Sequence, residues 1–132
     1  MTIEDPFIYV SNDLRTQAES AHSERLVAHV PPGIVDVQVL FNALVEQVGF
    51  PGYFGFNWNA LSDCLRDLHW LRERELVLIH RDVPGLPPSE IHQYVTVLAE
   101  CVLDWRPGEP HELKVIFPDS GKEVIGQILR RI

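Results

Sequence analysis

Three short apolar runs, separated by longer stretches of helical periodicity, restrict this chain to one broad architecture. They are Leu26 to Val30 (LVAHV), Leu76 to Ile79 (LVLI) and Leu113 to Phe117 (LKVIF). LVLI is continuous rather than alternating, as expected of a parallel strand buried on both faces. After the first run, Pro31, Pro32 and Gly33 break the chain, and Asp36 is placed to cap a helix. In that helix Val37, Leu40, Phe41, Leu44, Val45 and Val48 recur at helical spacing until Gly49 and Pro51 stop it. From Ser89 to Asp104, Ile91, Tyr94, Val95, Leu98, Cys101 and Val102 keep the same period. After Pro118, Ser120 is placed to cap a last helix that turns Val124, Ile125, Ile128 and Leu129 inward, with Arg130 and Arg131 near its C-terminal dipole. The alternation predicts an α/β fold, a small, mainly parallel three-stranded sheet with helices packed on it and right-handed crossovers. Phe7 to Val10 reads as a candidate extra edge strand, and the polar stretch Ser11 to Ser23 as either helix or loose connector. At 132 residues the chain has the size of one domain.

Within this frame the stretch from Phe50 to Leu68, FPGYFGFNWNALSDCLRDL, has the layout of a contact surface. Asn57 is a natural N-cap for a short helix. At about 100° per residue, Trp58, Leu61, Cys64, Leu65 and Leu68 gather on an inner side. Asn59, Ser62, Asp63 and Arg66 then face outward. The preceding loop places Tyr53, Phe54 and Phe56 between and beside Gly52 and Gly55, combining tight turns with three aromatics in four positions. The competing reading is structural: the aromatics pack beneath the helix and Asp63 is one more solvated acid.

Charge and motif content narrow the function classes. Nineteen acids against eleven lysines and arginines leave a formal charge of −8, which disfavours nucleic acid and favours a basic partner. Cys64 and Cys101 lie within apolar helical faces and read as reduced core thiols. Neither a signal peptide nor an 18-residue apolar run is present, so a soluble cytoplasmic protein without membrane association is expected. The familiar hydrolase, zinc-protease, P-loop and dinucleotide motifs are missing. His111 and Glu112 lack the second histidine of a zinc helix, and neither a metal nor a cofactor is expected. His80 with Asp82, beyond a strand end, is the best acid/base candidate, with a plain connector pair as the commoner reading. The expectation is a protein without enzymatic activity.

Tyr53-Phe54-Gly55, then Asn57, Ala60-Leu61 and Asp63-Cys64-Leu65, followed by LVLI, resemble the barstar family of intracellular inhibitors of barnase-type ribonucleases. The order of elements is similar from Leu26 onward, which implies a barstar-like domain over residues 25–132 and an N-terminal extension over 1–24. What the resemblance implies is an immunity protein that plugs the active-site groove of a basic, secreted ribonuclease with its second helix and the loop before it. The partner is then a protein, and the complex one-to-one with a monomeric inhibitor. Asp63 matches the acid that takes a phosphate position, and Tyr53 the aromatic that packs on the enzyme. Phe54 belongs to the same motif, Gly55 permits close backbone approach, and Asn57 matches a contact asparagine. The alternative is a module of the same fold that binds a different basic protein in regulation.

Departures from the family pattern mark the same surface. Asn59 stands where an aspartate is expected, removing a charge but keeping the shape. Ser62 replaces a tryptophan, and Arg66, at i+3 from Asp63, would oppose a basic groove. Trp70 is the candidate for a family tryptophan after the helix, with Leu68 as the other option. Glu100 is the candidate acid on the third helix.

Overall fold

The computed structural model describes residues 4–11 and 24–131. Along the chain these form β1 (Ile8–Val10), β2 (Arg25–Val30), α1 (Val37–Val48), α2 (Trp58–Asp67), β3 (Glu75–His80), α3 (Pro88–Asp104), β4 (Glu112–Pro118), a 3-10 turn (Asp119–Gly121) and α4 (Lys122–Leu129). The sheet has the order β1-β4-β3-β2, and every pair is parallel. The expected edge strand is therefore a fourth strand, with Ile8 opposite Ile116. Phe7, just ahead of it, packs edge-on against Phe117 at 5.3 Å. Residues 12–23, within the stretch left open between helix and connector, lie outside the described residues.

Side-chain alternation along the strands produces two cores of unequal size. Ala28, Val30, Leu76, Leu78, Leu113, Val115 and Phe117 face the helices and merge with Leu40, Phe41, Leu44, Leu61, Leu65, Tyr94, Leu98 and Ile125. The intervening residues Val77, Ile79 and Ile116 join Val10 and Val27 on the other face. β3 is thus buried on both sides, which is why its sequence reads as an unbroken apolar run. It is also why a one-residue slip of register would cost so much, since every apolar side chain would change faces.

The caps agree with the sequence at α1 and differ at α4. Asp36 Oδ1 accepts hydrogen bonds from the Gln38 and Val39 N–H groups at 2.8 and 3.2 Å. Gly49 closes α1 with a left-handed φ of 79°. α3 begins at Pro88, one residue ahead of Ser89, because proline at the first helical position loses no helical hydrogen bond. Ser120 does not cap α4. It sits inside the 3-10 turn, and the boundary residue is Gly121, where a Cβ would fall 2.5 Å from Val83 Cγ2. Val124 likewise departs from expectation at 48% exposed. In so short a helix the inward stripe narrows to Ile125 and Leu129, with Ile128 half-buried. No helix among the described residues is long and apolar enough to cross a membrane.

Candidate functional site

α2 and its loop are held rigidly from below. Asn57 has an extended backbone, and its Oδ1 accepts from the Ala60 N–H at 2.8 Å, as the sequence implied. Its Nδ2 donates to the Gly55 carbonyl at 3.2 Å, so one side chain ties loop to helix. Gly55 makes this approach possible, since a Cβ there would stand 3.3 Å from Asn57 Nδ2. Leu61, Cys64 and Leu65 are buried, and Leu68 closes the helix in a left-handed conformation with its side chain in the core. Trp58 is half-buried against Phe41 and donates its indole N–H to Glu90 at 3.0 Å.

The aromatic loop divides between core and surface. Phe54 is only 5% exposed and packs between Phe41, Phe50 and Phe56, which corrects its assignment to the contact surface. Tyr53 is 62% exposed. Desolvation, then the neighbouring Cys64, Asp67 and Asp63, hold its phenol above the ordinary value, so it remains a hydroxyl donor. Phe56, which motif reasoning passed over, is 40% exposed and has a φ of 53°, a region a bulky residue rarely enters. Its signal was its place between Gly55 and the capping Asn57.

On the helix, Asn59, Asp63, Arg66 and Asp67 are exposed. Asp67, another residue the motif comparison missed, bonds His69 and lies one turn beyond Asp63. The i, i+4 spacing of two acids was the legible signal. Ser62 is turned further in than expected: it is half-buried, and the Cys101 thiol points to its carbonyl at 3.8 Å. The reason is the close packing of α2 on α3, fastened also by a 2.8 Å hydrogen bond from Trp105 Nε1 to the Leu65 carbonyl.

Arg66 and Glu100 change the charge reading most. Arg66 Nη2 lies 3.2 Å from Glu100 Oε2, so the two candidate contact residues neutralise each other across the α2–α3 seam. The arginine expected to oppose a basic groove and the candidate third-helix acid are one ion pair. Trp70 is half-buried with its ring edge-on to Phe50 at 5.6 Å, while Leu68 is wholly inside.

A family model described as Barstar (barnase inhibitor) matches residues 27–118, from within β2 to the end of β4. That is more than half of the chain, and it contains the loop and α2. The chain belongs to the barstar family. No curated protein matches it. Barstar-family members are inhibitors, and the alternative acid/base candidate offers little here. His80 is buried, with Nδ1 3.1 Å from the Ile116 carbonyl and Nε2 2.7 Å from the Tyr94 hydroxyl. The carbonyl can only accept, so Nδ1 carries the proton and Tyr94 donates to Nε2. Burial, partly opposed by the bond to Ile116, pulls the imidazole pKa down to about 4. Asp82 does not meet it; its Oδ2 instead accepts from the Gly33 N–H at 3.0 Å. Both cysteines are free and buried, and desolvation with Asp63 and Asp67 pushes the Cys64 thiol up to about 11. Such thiols are poor nucleophiles and ligands.

Proposed function

We propose that this protein is a cytoplasmic ribonuclease inhibitor that blocks the active-site groove of a basic, secreted ribonuclease in a one-to-one complex. The observation that carries the reading is Asp63, an exposed carboxylate on a helix whose other side is locked into the core, beside the exposed Tyr53. A nuclease groove arranges arginine, lysine and histidine around phosphate. A carboxylate presented on a rigid helix takes the place of a phosphate there and forms short charge-assisted hydrogen bonds. Tyr53 supplies a large contact area with few torsions to freeze, and Asn57 and Asn59 offer neutral hydrogen-bonding groups at the rim. The net charge of −8 speeds encounter with a cationic enzyme.

The test is inhibition of RNA cleavage by purified cationic ribonucleases, barnase among them, with the parent chain and Asp63→Ala. Tight, salt-dependent inhibition is expected, with Asp63→Ala raising Kd at least about 30-fold, as loss of ~2 kcal/mol at a hot spot implies. Absence of inhibition across the panel overturns the reading.

A further inference from the structure

The pairing of Arg66 with Glu100 points past the question of whether α2 binds a nuclease to which nuclease it accepts. Resting on the inhibitor reading above, we propose that Arg66 is a specificity determinant that favours a partner presenting a carboxylate over the α2–α3 seam and penalises a groove that is cationic throughout.

Four observations support this. Arg66 stands at i+3 from Asp63, so a cation docked on Asp63 comes within one helical turn of the guanidinium. The arginine is held in place: Nη2 bonds Glu100 at 3.2 Å, and the two helices beneath are fastened by Trp105 on the Leu65 carbonyl. It is nevertheless open, with side-chain exposures of 41% for Arg66 and 47% for Glu100. Finally, a guanidinium has five N–H donors arranged as a fork; Nη2 bonds Glu100, and the Cys101 side chain and Asp104 lie close by, which still leaves donors for a further acceptor. A carboxylate from a partner completes a carboxylate–guanidinium–carboxylate arrangement. A lysine or arginine there meets a like charge that Glu100 and Asp104 only partly offset. Repulsion built into an interface discriminates between partners as effectively as attraction.

The experiment measures Kd for a panel of cationic ribonucleases, barnase included, against the parent chain, Asp63→Ala, Arg66→Ala and Glu100→Gln. Thermal melting checks that each variant is folded. Arg66→Ala is expected to reorder the panel, tightening the weakly bound members about fivefold and weakening the best-bound one by a similar factor. Glu100→Gln, which unmasks the arginine, is expected to weaken the weakly bound members further. If Arg66→Ala shifts all members by the same factor, or none beyond twofold, the selectivity role is wrong. That result is distinct from failure of the inhibitor reading, because Asp63→Ala still weakens by at least about 30-fold whatever inhibition the parent chain shows. If the parent inhibits no member, the inhibitor reading falls and the selectivity role falls with it, whatever Arg66→Ala does.

Discussion

His80 with Tyr94 and Arg66 with Glu100 are two polar pairs that α3 makes with its neighbours, and they do opposite work. The first lies between sheet and helix with both imidazole nitrogens and the phenol satisfied, and His80 stacks on Phe117 at 4.1 Å. The second lies on the surface, where water competes for every donor and acceptor. In the buried pair, desolvation makes any change of protonation or partner expensive, so it specifies the fold. In the exposed pair, screening keeps the contribution to stability within about 1 kcal/mol, so the groups are free to be read by another molecule. Burial, more than residue type, separates the structural histidine from the surface arginine in this protein.

The comparison is tested most strongly by acid. The folded His80 pKa is about 4, against 6.5 for a free histidine. Above pH 6.5 both folded and unfolded chains hold the neutral ring and the group adds no pH dependence. Between 6.5 and 4 only the unfolded chain takes up the proton, so stability falls as pH falls, by roughly 3 kcal/mol in all. Glu75, whose carboxyl is lowered because Lys114 and Arg25 outweigh desolvation, loses its stabilisation only below the usual carboxylate range of about 4.5. Urea midpoints measured from pH 7 to pH 4.5 therefore report mainly His80. A flat profile, or one unaltered by His80→Gln, breaks the structural half of the comparison.

Asp63→Ala is the complementary probe. It is expected to cost at least about 2 kcal/mol of nuclease affinity while leaving the urea midpoint within ~0.5 kcal/mol of the parent, because the side chain is exposed. Tyr94→Phe should do the reverse. It leaves His80 Nε2 a buried acceptor without a donor and should lower stability by about 1.5 kcal/mol. Its inhibition constant, measured where the variant is folded, should match that of the parent chain. A Tyr94→Phe protein with parent stability means that the Nε2 bond contributes nothing and the two pairs differ less than their burial implies.

Much of this was legible in the chain, for identifiable reasons. The LVLI run, the Asp36 and Asn57 caps and the Gly49 stop are local signals, and each formed as written. What escaped was tertiary. Nothing near Ser120 in sequence announces that Val83 crowds Gly121 and that a 3-10 turn intervenes before α4. Helical phase puts Arg66 outward, but only the packing of α3 brings Glu100, 34 residues away, within reach. Phe54 and Tyr53 are adjacent aromatics in one loop, and which of them lies inside depends on Phe41 and Phe50. Sequence thus singled out the stretch, and long-range packing decided which of its charges stay exposed.

Asn57 joins the two kinds of region and supplies the smallest predicted effect. Its Oδ1 caps α2 through the Ala60 N–H, and its Nδ2 holds the Gly55 carbonyl of the aromatic loop. Asn57→Ala removes both bonds and should cost about 1 kcal/mol of stability, the usual worth of a helix N-cap. The same change releases the loop carrying Tyr53 from the helix carrying Asp63, so inhibition should weaken through faster dissociation, with the association rate nearly unchanged because no charge is altered. Asn57→Asp keeps the capping oxygen but loses the donor to Gly55, and so separates the two roles. Stability at or above the parent, combined with weaker inhibition, places the recognition role of Asn57 in the loop bond. Inhibition kept in Asn57→Asp but weakened in Asn57→Ala places it in the cap.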